Sequence, residues 1–480
     1  MNSKKGRSIL KLFEKKERVY QIYMKLSKGK LFYFGFSAIG INIMKLIVGT
    51  YLINAVLVSG FLVNVENWTL LNRDIVIAAA WGVLILVSRI IDGLGDFPFA
   101  LMFERLNPKI NKRRFGVYVG IVPLVASFVL FLFPFFSTNI GNTIWLGSLL
   151  ILFYCFYSCV MNSYYASFPE VTSNDGERRL LSNIKSVADV IYFSLGFALI
   201  PALVSFMNIR WIALCFLPLA VMIVFGMLFV KNDPSKIIKE ERKPRLGASF
   251  VYTFKNKEYI LWMVAYAVMT FAIQLFLGGQ SVYLSGTGQF NGLMIMIMNC
   301  AAFGPVPFTM ILYNMILKKK GFRFAYIYAL NAMTLSLILC IPVNAAWVTN
   351  ETVRIIFGIA SGATASLGIG TLFSVAYLIP SHLSAKEKAL TGKSQPAMYF
   401  AIQGLFGSIV TGIAVGPILV ALKESGGMYL FPIIVTVGFI LAVVITVILP
   451  KSFTHIGKAE EIIQPKIAPE PTTINPNASN

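Results

Sequence analysis

The sequence predicts an all-α membrane protein with twelve transmembrane helices, arranged as two six-helix repeats with both termini in the cytosol. Three observations predict this fold. The 480-residue chain is 57% hydrophobic and only 13% charged, whereas an ordinary soluble domain has about 25% charged residues. Its apolar residues fall into about a dozen runs, and a transmembrane helix needs roughly 20 such residues. Lys and Arg concentrate in alternate connections between the runs, as they do in cytosolic loops.

The N-terminal part of the chain contains the first six predicted helices. Residues 1–30 form a polar, basic, cytosolic arm. No short apolar stretch with a small-residue cleavage site follows this arm, so we expect no cleaved signal peptide. Residues 31–230 then form the first six-helix bundle, because apolar runs of membrane-spanning length recur along them. These runs lie near residues 32–56, 74–101, 115–137, 143–168, 184–207 and 211–230.

The C-terminal part repeats this layout after a polar linker. Residues 231–257 contain Pro234, Pro244 and mixed charges, which is typical of a cytosolic linker. Residues 258–450 form the second six-helix bundle. Residues 451–480 are rich in Pro, Asn and Thr, a composition that indicates a disordered cytosolic tail. The six runs of the second bundle lie near residues 258–284, 291–317, 324–343, 350–379, 395–421 and 428–449.

The positions of Lys and Arg predict the orientation of the chain. Most of the 42 Lys and Arg residues lie in the arm, the linker, the tail and four short connections, and the alternate connections hold very few. Cytosolic loops carry such an excess of positive charge. We therefore expect a multi-pass protein of the cytoplasmic membrane, surrounded by the lipid bilayer. The four basic connections are residues 102–114, 169–185, 318–323 and 381–393.

The two predicted bundles resemble each other at the connection that follows their fourth helix. Pro169 precedes a charged segment in the first bundle, and Pro380 precedes one in the second. Parallel six-helix repeats build one large class of transporters, with the solute site between the halves near the bilayer midplane. We expect these segments to act as a gate on the cytosolic side. The gating residues would be Glu177, Arg178 and Arg179 in the first bundle and Glu387 and Lys388 in the second.

Residue types that several other functions need are scarce. The chain has only two histidines, His382 and His455, and its five cysteines lie inside apolar runs without a metal-binding spacing. We therefore expect no structural zinc, no disulfide framework and no catalytic centre, so that the chain is not an enzyme. The net charge of +21 is divided among short segments, which argues against a nucleic-acid partner. No organic cofactor is implied.

Three ionisable residues lie inside the second apolar run. Arg89, Asp92 and Asp96 are three and four residues apart, so they share one face of a helix. Counted from Glu104 at the cytosolic boundary, Asp92 lies roughly 18 Å deep at 1.5 Å per residue. A charge at such depth usually faces a bundle interior or an aqueous cavity. The two carboxylates can bind a sodium ion, share one proton, or form an internal ion pair with Arg89 that fixes helix packing.

The motif Arg89-x-x-Asp92-x-x-x-Asp96 resembles that of the glycoside-pentoside-hexuronide:cation symporters of the major facilitator superfamily, the family of the melibiose permease. The segment 169–178 resembles a second motif of these symporters, and the resemblance extends from about residue 31 to 450. It implies a major facilitator fold. It also implies that Asp92 and Asp96 bind the coupling ion, either sodium or a proton.

Four positions differ from those of the family's sugar transporters. Asn42 and Asn162 stand where those proteins have acidic residues in the first and fourth helices. Lys185 stands in place of a sugar-contacting arginine, and Gln403 in place of a lysine of the eleventh helix. An amide still bonds hydroxyl groups, but without the strength of a carboxylate. The predicted solute-binding residues are Asn42, Lys45, Arg89, Asn162, Lys185 and Gln403.

Lys45 lies too deep in the first helix to reach the membrane surface easily. Three interpretations stay open. Its ammonium pairs with Asp92 or Asp96 and takes the place of a cation, it meets an anionic solute such as a uronide, or it extends towards the interface without a specific role. Asp189 lies one turn beyond Lys185, and this spacing predicts an ion pair within the fifth helix.

The sequence as a whole predicts a secondary transporter for a small-molecule solute, namely a sugar, glycoside or uronide. Transport would proceed by alternating access with sodium or proton symport. The alternatives are a carrier of amphipathic or lipid-like solutes and an uncoupled facilitator. Aromatic side chains can stack on a sugar ring, although such residues also fill helix bundles. The aromatic candidates are Tyr164, Tyr165, Tyr192, Trp262, Tyr266 and Tyr399.

Overall fold

The described part of the chain is built from helices. The computed structural model describes residues 26–95, 99, 111–172, 175–230, 254, 256–391 and 396–456, and this part of the chain contains no β-strand. Short helices occur at Val65–Trp68, Phe168–Val171 and Ser452–His455. The long helices are α1 Lys28–Leu52, α2 Ala78–Leu94, α3 Lys112–Phe131, α4 Asn139–Ala166, α5 Leu180–Val204, α6 Ile209–Met227, α7 Lys257–Ser285, α8 Gly292–Lys320, α9 Phe322–Val343, α10 Glu351–Thr391, α11 Met398–Glu424 and α12 Gly427–Ile448.

Several helices begin directly after a side chain that caps their first free N–H groups. The side-chain oxygen of Asn111 accepts hydrogen bonds from the backbone N–H groups of Arg113 and Arg114 at the start of α3. Such caps satisfy donors that have no partner within the helix. The polar residues between the apolar runs therefore fix where helices begin. The same role is played by Thr138 at α4, Asn208 at α6, Asn256 at α7 and Asn291 at α8.

Eleven of the described helices are long and apolar enough to cross a membrane. These eleven do not include α2, of which the structure describes 17 residues. The number of twelve spans therefore stays a prediction. Large apolar side chains point away from the bundle: Val122, Phe308 and Ile448 are 68%, 74% and 73% exposed. Such side chains are suited to contact with lipid tails.

Two segments that the sequence analysis treats as connections contain helix. α10 continues through Pro380 to Thr391, so the prediction of a loop within residues 381–393 was wrong. The segment is rich in Ala, Lys, Glu and Leu, which are strong helix formers. In the first half, a helix that runs into α5 begins at Asp175, inside the predicted connection 169–185. The proposed gating residues thus lie on helices.

The first half, α1 to α6, and the second half, α7 to α12, are in direct contact at one end of the bundle. We name this the outer end, and the end at which α1 and α7 begin the inner end; the cytosolic location of the inner end stays a prediction. The ammonium of Lys423 in α11 donates hydrogen bonds to the carbonyl oxygens of Asn54, at 3.0 Å, and Leu57, at 3.4 Å. The Asn54 side chain donates to the carbonyl oxygen of Gly278 at 3.0 Å. These bonds form a seal between the halves.

Three of the long helices contain a π-helical turn. The turns span Ile47–Leu52 in α1, Leu195–Leu199 in α5 and Ala414–Ile418 in α11. α5 and α11 are the fifth helices of their halves, so a matching turn in both supports an internal repeat. A π turn changes the direction of nearby side chains and often occurs at functional sites. All three helices line one cavity between the halves.

Candidate functional site

A cavity of about 430 Å³ lies between the two halves, and we name it the central cavity. The first half contributes α1, α2, α4 and α5 to its wall, and the second half contributes α7 and α11. Pockets for small molecules have volumes of about 300–1,000 Å³. The charged lining residues all come from the first half: Lys45, Arg89, Asp92 and Asp189. Neutral polar lining from the second half includes Thr270, Gln274, Ser408 and Thr411.

Lys45 and Asp92 meet across α1 and α2. The Nζ atom of Lys45 lies 3.0 Å from Oδ2 of Asp92. The other carboxylate oxygen, Oδ1, accepts a hydrogen bond of 3.1 Å from the hydroxyl group of Ser158 in α4. Ser158 also lies 3.0 Å from the backbone carbonyl oxygen of Asp92. Of the three interpretations of Lys45, the structure shows the pairing with Asp92, and both oxygens of this carboxylate are engaged.

Aromatic rings lie against the two cations of the central cavity. The Nζ atom of Lys45 is 4.0 Å from the centroid of the Tyr157 ring, and the guanidinium carbon of Arg89 is 4.3 Å from that of Tyr154. Ring faces attract cations. Arg89 is only 8% exposed, its Nε has no hydrogen-bond partner, and the described ion pairs do not include it. Arg89 lines the cavity, and among the described residues its guanidinium contacts a ring and forms no ion pair with a carboxylate.

A second lysine and aspartate pair lies beside the first. Lys185 pairs with Oδ1 of Asp189 within α5, which confirms the pair that the i,i+4 spacing predicts. The Nδ2 atom of Asn42 donates to the same oxygen at 3.4 Å, and the Tyr157 hydroxyl donates to Oδ1 of Asn42 at 3.2 Å. Because the ring of Tyr157 also contacts Lys45, one polar network joins the two pairs.

A second cavity of about 760 Å³, which we name the side cavity, adjoins the central cavity. Tyr165, Asp189, Tyr192 and Phe193 line both cavities. Lys185 lines the side cavity only. Much of the remaining wall is apolar and comes from α8 and α10: Phe303, Val306, Met310 and Ile369. A polar and a largely apolar compartment thus meet along α5.

Comparison with known proteins identifies the family. A family model described as MFS/sugar transport protein matches residues 33–430. The chain belongs to the MFS/sugar transport protein family. A search of curated protein sequences finds no significant match. The resemblance to a sugar symporter family is thereby confirmed at the level of this broader family, and the features specific to the melibiose permease stay a prediction.

Solved transporter structures share the fold of this MFS protein. The nucleoside transporter NupG superposes with a TM-score of 0.62 at 12% sequence identity, over 88% of this chain and 97% of its own. A peptide-complexed transporter of the POT family gives 0.59 at 13% identity, over 89% and 98%. A bacterial homologue of the human lysosomal transporter Spinster, in an inward-facing and unoccupied conformation, gives 0.57 at 12% identity, over 90% and 98%.

Family membership establishes the general activity. The protein is a multi-pass membrane transporter of the MFS type that carries small molecules, and it is not an enzyme. At 12–13% identity, the solved structures support the fold and not a solute. The choice of solute and any coupling ion must therefore be inferred from the residues of the cavities.

The structure brings together four of the predicted site residues of this MFS protein. Asn42, Lys45, Arg89 and Asp92 all line the central cavity. Asp96, the second predicted cation ligand, lies outside the described residues.

The other three predicted solute-binding residues lie elsewhere. Lys185 faces the side cavity, with its ammonium on Asp189. Gln403 is 4% exposed, and its Oε1 accepts a hydrogen bond of 2.8 Å from Nε1 of Trp262. Gln403 does not line either cavity. Asn162 does not line either cavity. Gln403 and Asn162 are therefore not part of the walls of these two cavities, because their helices turn these side chains towards other contacts.

The proposed gating residues lie on the helices at the inner ends of α5 and α10. Glu177 is partly exposed. A neighbouring lysine, Lys386, forms an ion pair of 2.8 Å with Glu258 at the start of α7. The sequence analysis missed this pair, because its partners are far apart in the chain. The side chains of Arg178, Arg179, Glu387 and Lys388 lie outside the described residues.

Several residues that line the central cavity or contact its charged groups were missed from the sequence. Tyr157 contacts both Lys45 and Asn42, and Tyr154 contacts Arg89. Of the aromatic candidates, Tyr165, Tyr192 and Tyr266 line the central cavity, whereas Tyr164, Trp262 and Tyr399 are fully buried in the packing. The polar wall of α7 was also missed, although Thr270 and Gln274 lie one helical turn apart inside an apolar run. That spacing is the signal that identifies them.

Proposed function

We propose that the protein carries a small solute with several hydroxyl groups, namely a sugar, glycoside or uronide, across the cytoplasmic membrane by alternating access. The main support for this proposal is the lining of the central cavity. Its walls offer amide and hydroxyl groups from both halves and charged groups from the first half, which suit a solute with many donors and acceptors. Tyr165, Tyr192 and Tyr266 add ring faces on which a sugar can stack.

A coupling ion is the second part of the proposal. Asp92, a buried carboxylate of the cavity wall, is the candidate site for sodium or a proton, together with Asp96. An uncoupled facilitator is the alternative.

The gate is a third part of the proposal. Glu177, Arg178 and Arg179 at α5, with Glu387 and Lys388 at α10, would hold the inner end closed when the central cavity opens outwards. Replacement of Arg178 and Arg179 by alanine should change the transport rate more than solute binding. Unchanged transport by this double variant would remove the gating role.

A carrier of amphipathic solutes is the second candidate function, and the side cavity favours it. A polar head group would occupy the central cavity beside Arg89, and an apolar tail would lie against Phe303, Val306 and Met310. Such a division matches the polarity of the two compartments. A sugar does not need the apolar compartment.

Uptake into proteoliposomes tests both candidates. The purified protein is reconstituted and supplied with labelled sugars, glycosides, uronides and lysolipids, under separate sodium and proton gradients. Saturable uptake of a hydroxylated solute, absent from protein-free liposomes and inhibited by excess unlabelled solute, supports the first proposal. Uptake of lysolipid alone supports the second. Failure to carry any member of the panel under any gradient overturns both.

A further inference from the structure

The carboxylate of Asp92 has its two oxygens engaged within the protein. Oδ2 is 3.0 Å from the ammonium of Lys45, and Oδ1 accepts the hydroxyl group of Ser158 at 3.1 Å. Lys45 belongs to α1, Asp92 to α2 and Ser158 to α4, so three helices converge on one carboxylate. The positive charge that Asp92 needs is thus supplied by the chain itself.

The ammonium is the more accessible partner of the pair, although both residues line the central cavity. The Lys45 side chain is 30% exposed, whereas the Asp92 side chain is 9% exposed. A cation that approaches Oδ2 from the central cavity therefore meets an oxygen that the ammonium already contacts. Two positive charges at one carboxylate oxygen repel each other. Sodium can bind Oδ2 only if Lys45 withdraws.

The other surroundings of this position suit an ammonium. The ring centroid of Tyr157 is 4.0 Å from Nζ, and that of Tyr154 is 5.9 Å away. A lysine ammonium is attracted to ring faces. Hard metal cations instead require several oxygen ligands at short distance. A ring face offers no such oxygen ligand, so these two contacts suit an ammonium better than a hard metal cation.

We propose that the ammonium of Lys45 is a built-in counter-ion that occupies the sodium position at Asp92, so that transport by this chain does not require sodium. This inference rests on the proposed function only in its statement about transport. The occupancy of the ion position is a property of the protein without solute. It therefore has a test of its own.

Thermal unfolding in sodium chloride and in choline chloride of equal ionic strength is that test. A ligand that binds the folded protein raises its unfolding midpoint, and the rise saturates with concentration. We expect no sodium-specific rise for the wild type. Lys45→Met removes the ammonium and leaves Oδ2 of Asp92 without its positive partner, so the unfolding midpoint of this variant should rise saturably with sodium, by about 1–2 °C. Lys45→Met combined with Asp92→Asn should lose this response.

Two further variants control the experiment. Lys45→Arg keeps a positive charge beside Asp92 and should stay insensitive to sodium. Lys185→Met removes the lysine that pairs with Asp189. We expect no sodium-specific rise of its unfolding midpoint, because the proposed sodium position is at Asp92 and still holds the Lys45 ammonium in this variant. A saturable rise for the wild type would overturn the proposal. So would a Lys45→Met protein that folds and shows no response.

Sodium-dependent uptake supplies a second measurement, which does not need any variant. The wild type should carry its solute equally well in sodium and in choline buffers. A sodium requirement of tenfold or more would overturn the proposal even if Lys45→Met fails to fold. If no solute of the panel is carried, the proposed function fails while the unfolding experiment still decides the role of Lys45.

Discussion

The two walls of the central cavity differ in charge. The wall from the first half carries Lys45, Arg89, Asp92 and Asp189, whereas the lining of the second half among the described residues has no charged side chain. The second half instead presents hydroxyl groups, an amide and glycines, among them Gly404. Recognition by charge is therefore concentrated in the first half. The second half offers hydrogen bonds, and its glycines let a solute approach the backbone closely.

The difference is clearest between the corresponding helices α5 and α11. Their π turns begin at Leu195 and Ala414, and Asp189 and Ser408 precede these turns by the same number of residues. By the same alignment Lys185 corresponds to Gly404. An ion pair in one half thus stands where the other half has a glycine and a serine. The repeat has kept its helix geometry while its side-chain chemistry has diverged.

The largest expected effect comes from neutralising the charged wall at Asp92. Loss of one partner of a buried ion pair lowers the free energy of unfolding by about 3–5 kcal/mol. The 30% exposure of the Lys45 side chain makes this loss smaller here. We expect Asp92→Asn to reduce the initial rate of solute uptake by roughly 10- to 100-fold. Ser408→Ala, on the neutral wall, is the matched control. An equal or larger loss in the serine variant would contradict the division between the walls.

Converting the α5 pair to a neutral pair tests whether its charge is needed for folding. Lys185→Met and Asp189→Asn should each lower the free energy of unfolding by about 1–3 kcal/mol, because each leaves a partly buried charge without its partner. The double variant should recover at least half of this loss. Thermal unfolding of the four proteins gives the interaction energy. Additive losses would show that the two side chains do not act as a pair.

The buried lysine of the second half lies in the outer seal instead of the cavity. Lys423 is 2% exposed and bonds the carbonyl oxygens of Asn54 and Leu57 in the first half. A charge-assisted hydrogen bond contributes about 1.5–3 kcal/mol, so Lys423→Met should raise the population of molecules open at the outer end by roughly tenfold. The readout is labelling of Thr270→Cys by an impermeant thiol reagent from the outer side.

The labelling experiment needs a background without the native cysteines. Lys451→Met replaces an exposed lysine and serves as the control for Lys423→Met. An unchanged labelling rate in Lys423→Met would show that the seal does not depend on this ammonium.

The smallest effect is expected on the neutral wall. Thr270→Val removes the hydroxyl group of a residue that lines the central cavity and should raise the KM for uptake about 3- to 10-fold, because one neutral hydrogen bond contributes about 0.5–1.5 kcal/mol. Thr436→Val is the control, since this hydroxyl group of α12 bonds the carbonyl oxygen of Pro432 within its own helix. If Thr436→Val raised the KM more than Thr270→Val, the rise would reflect altered helix packing and not a lost hydrogen bond to the solute.

The sequence by itself determined the membrane class, the positions of the helices and the local pairs. Apolar run lengths are set by the thickness of the bilayer, so most predicted spans agree with the observed helices within a few residues. The pair of Lys185 and Asp189 was predictable because the helical period alone brings such residues together. Depth in the membrane likewise required Arg89 and Asp92 to face the interior.

Only the tertiary structure decided which residues meet across helices. Lys45 had three open interpretations, and the rotation of α1 against α2 selected the contact with Asp92. The same packing turned Gln403 towards Trp262 and brought the unpredicted ring of Tyr157 under the Lys45 ammonium. These contacts depend on the relative rotation and depth of separate helices. Packing of whole helix surfaces sets both, and no local spacing in the sequence encodes them.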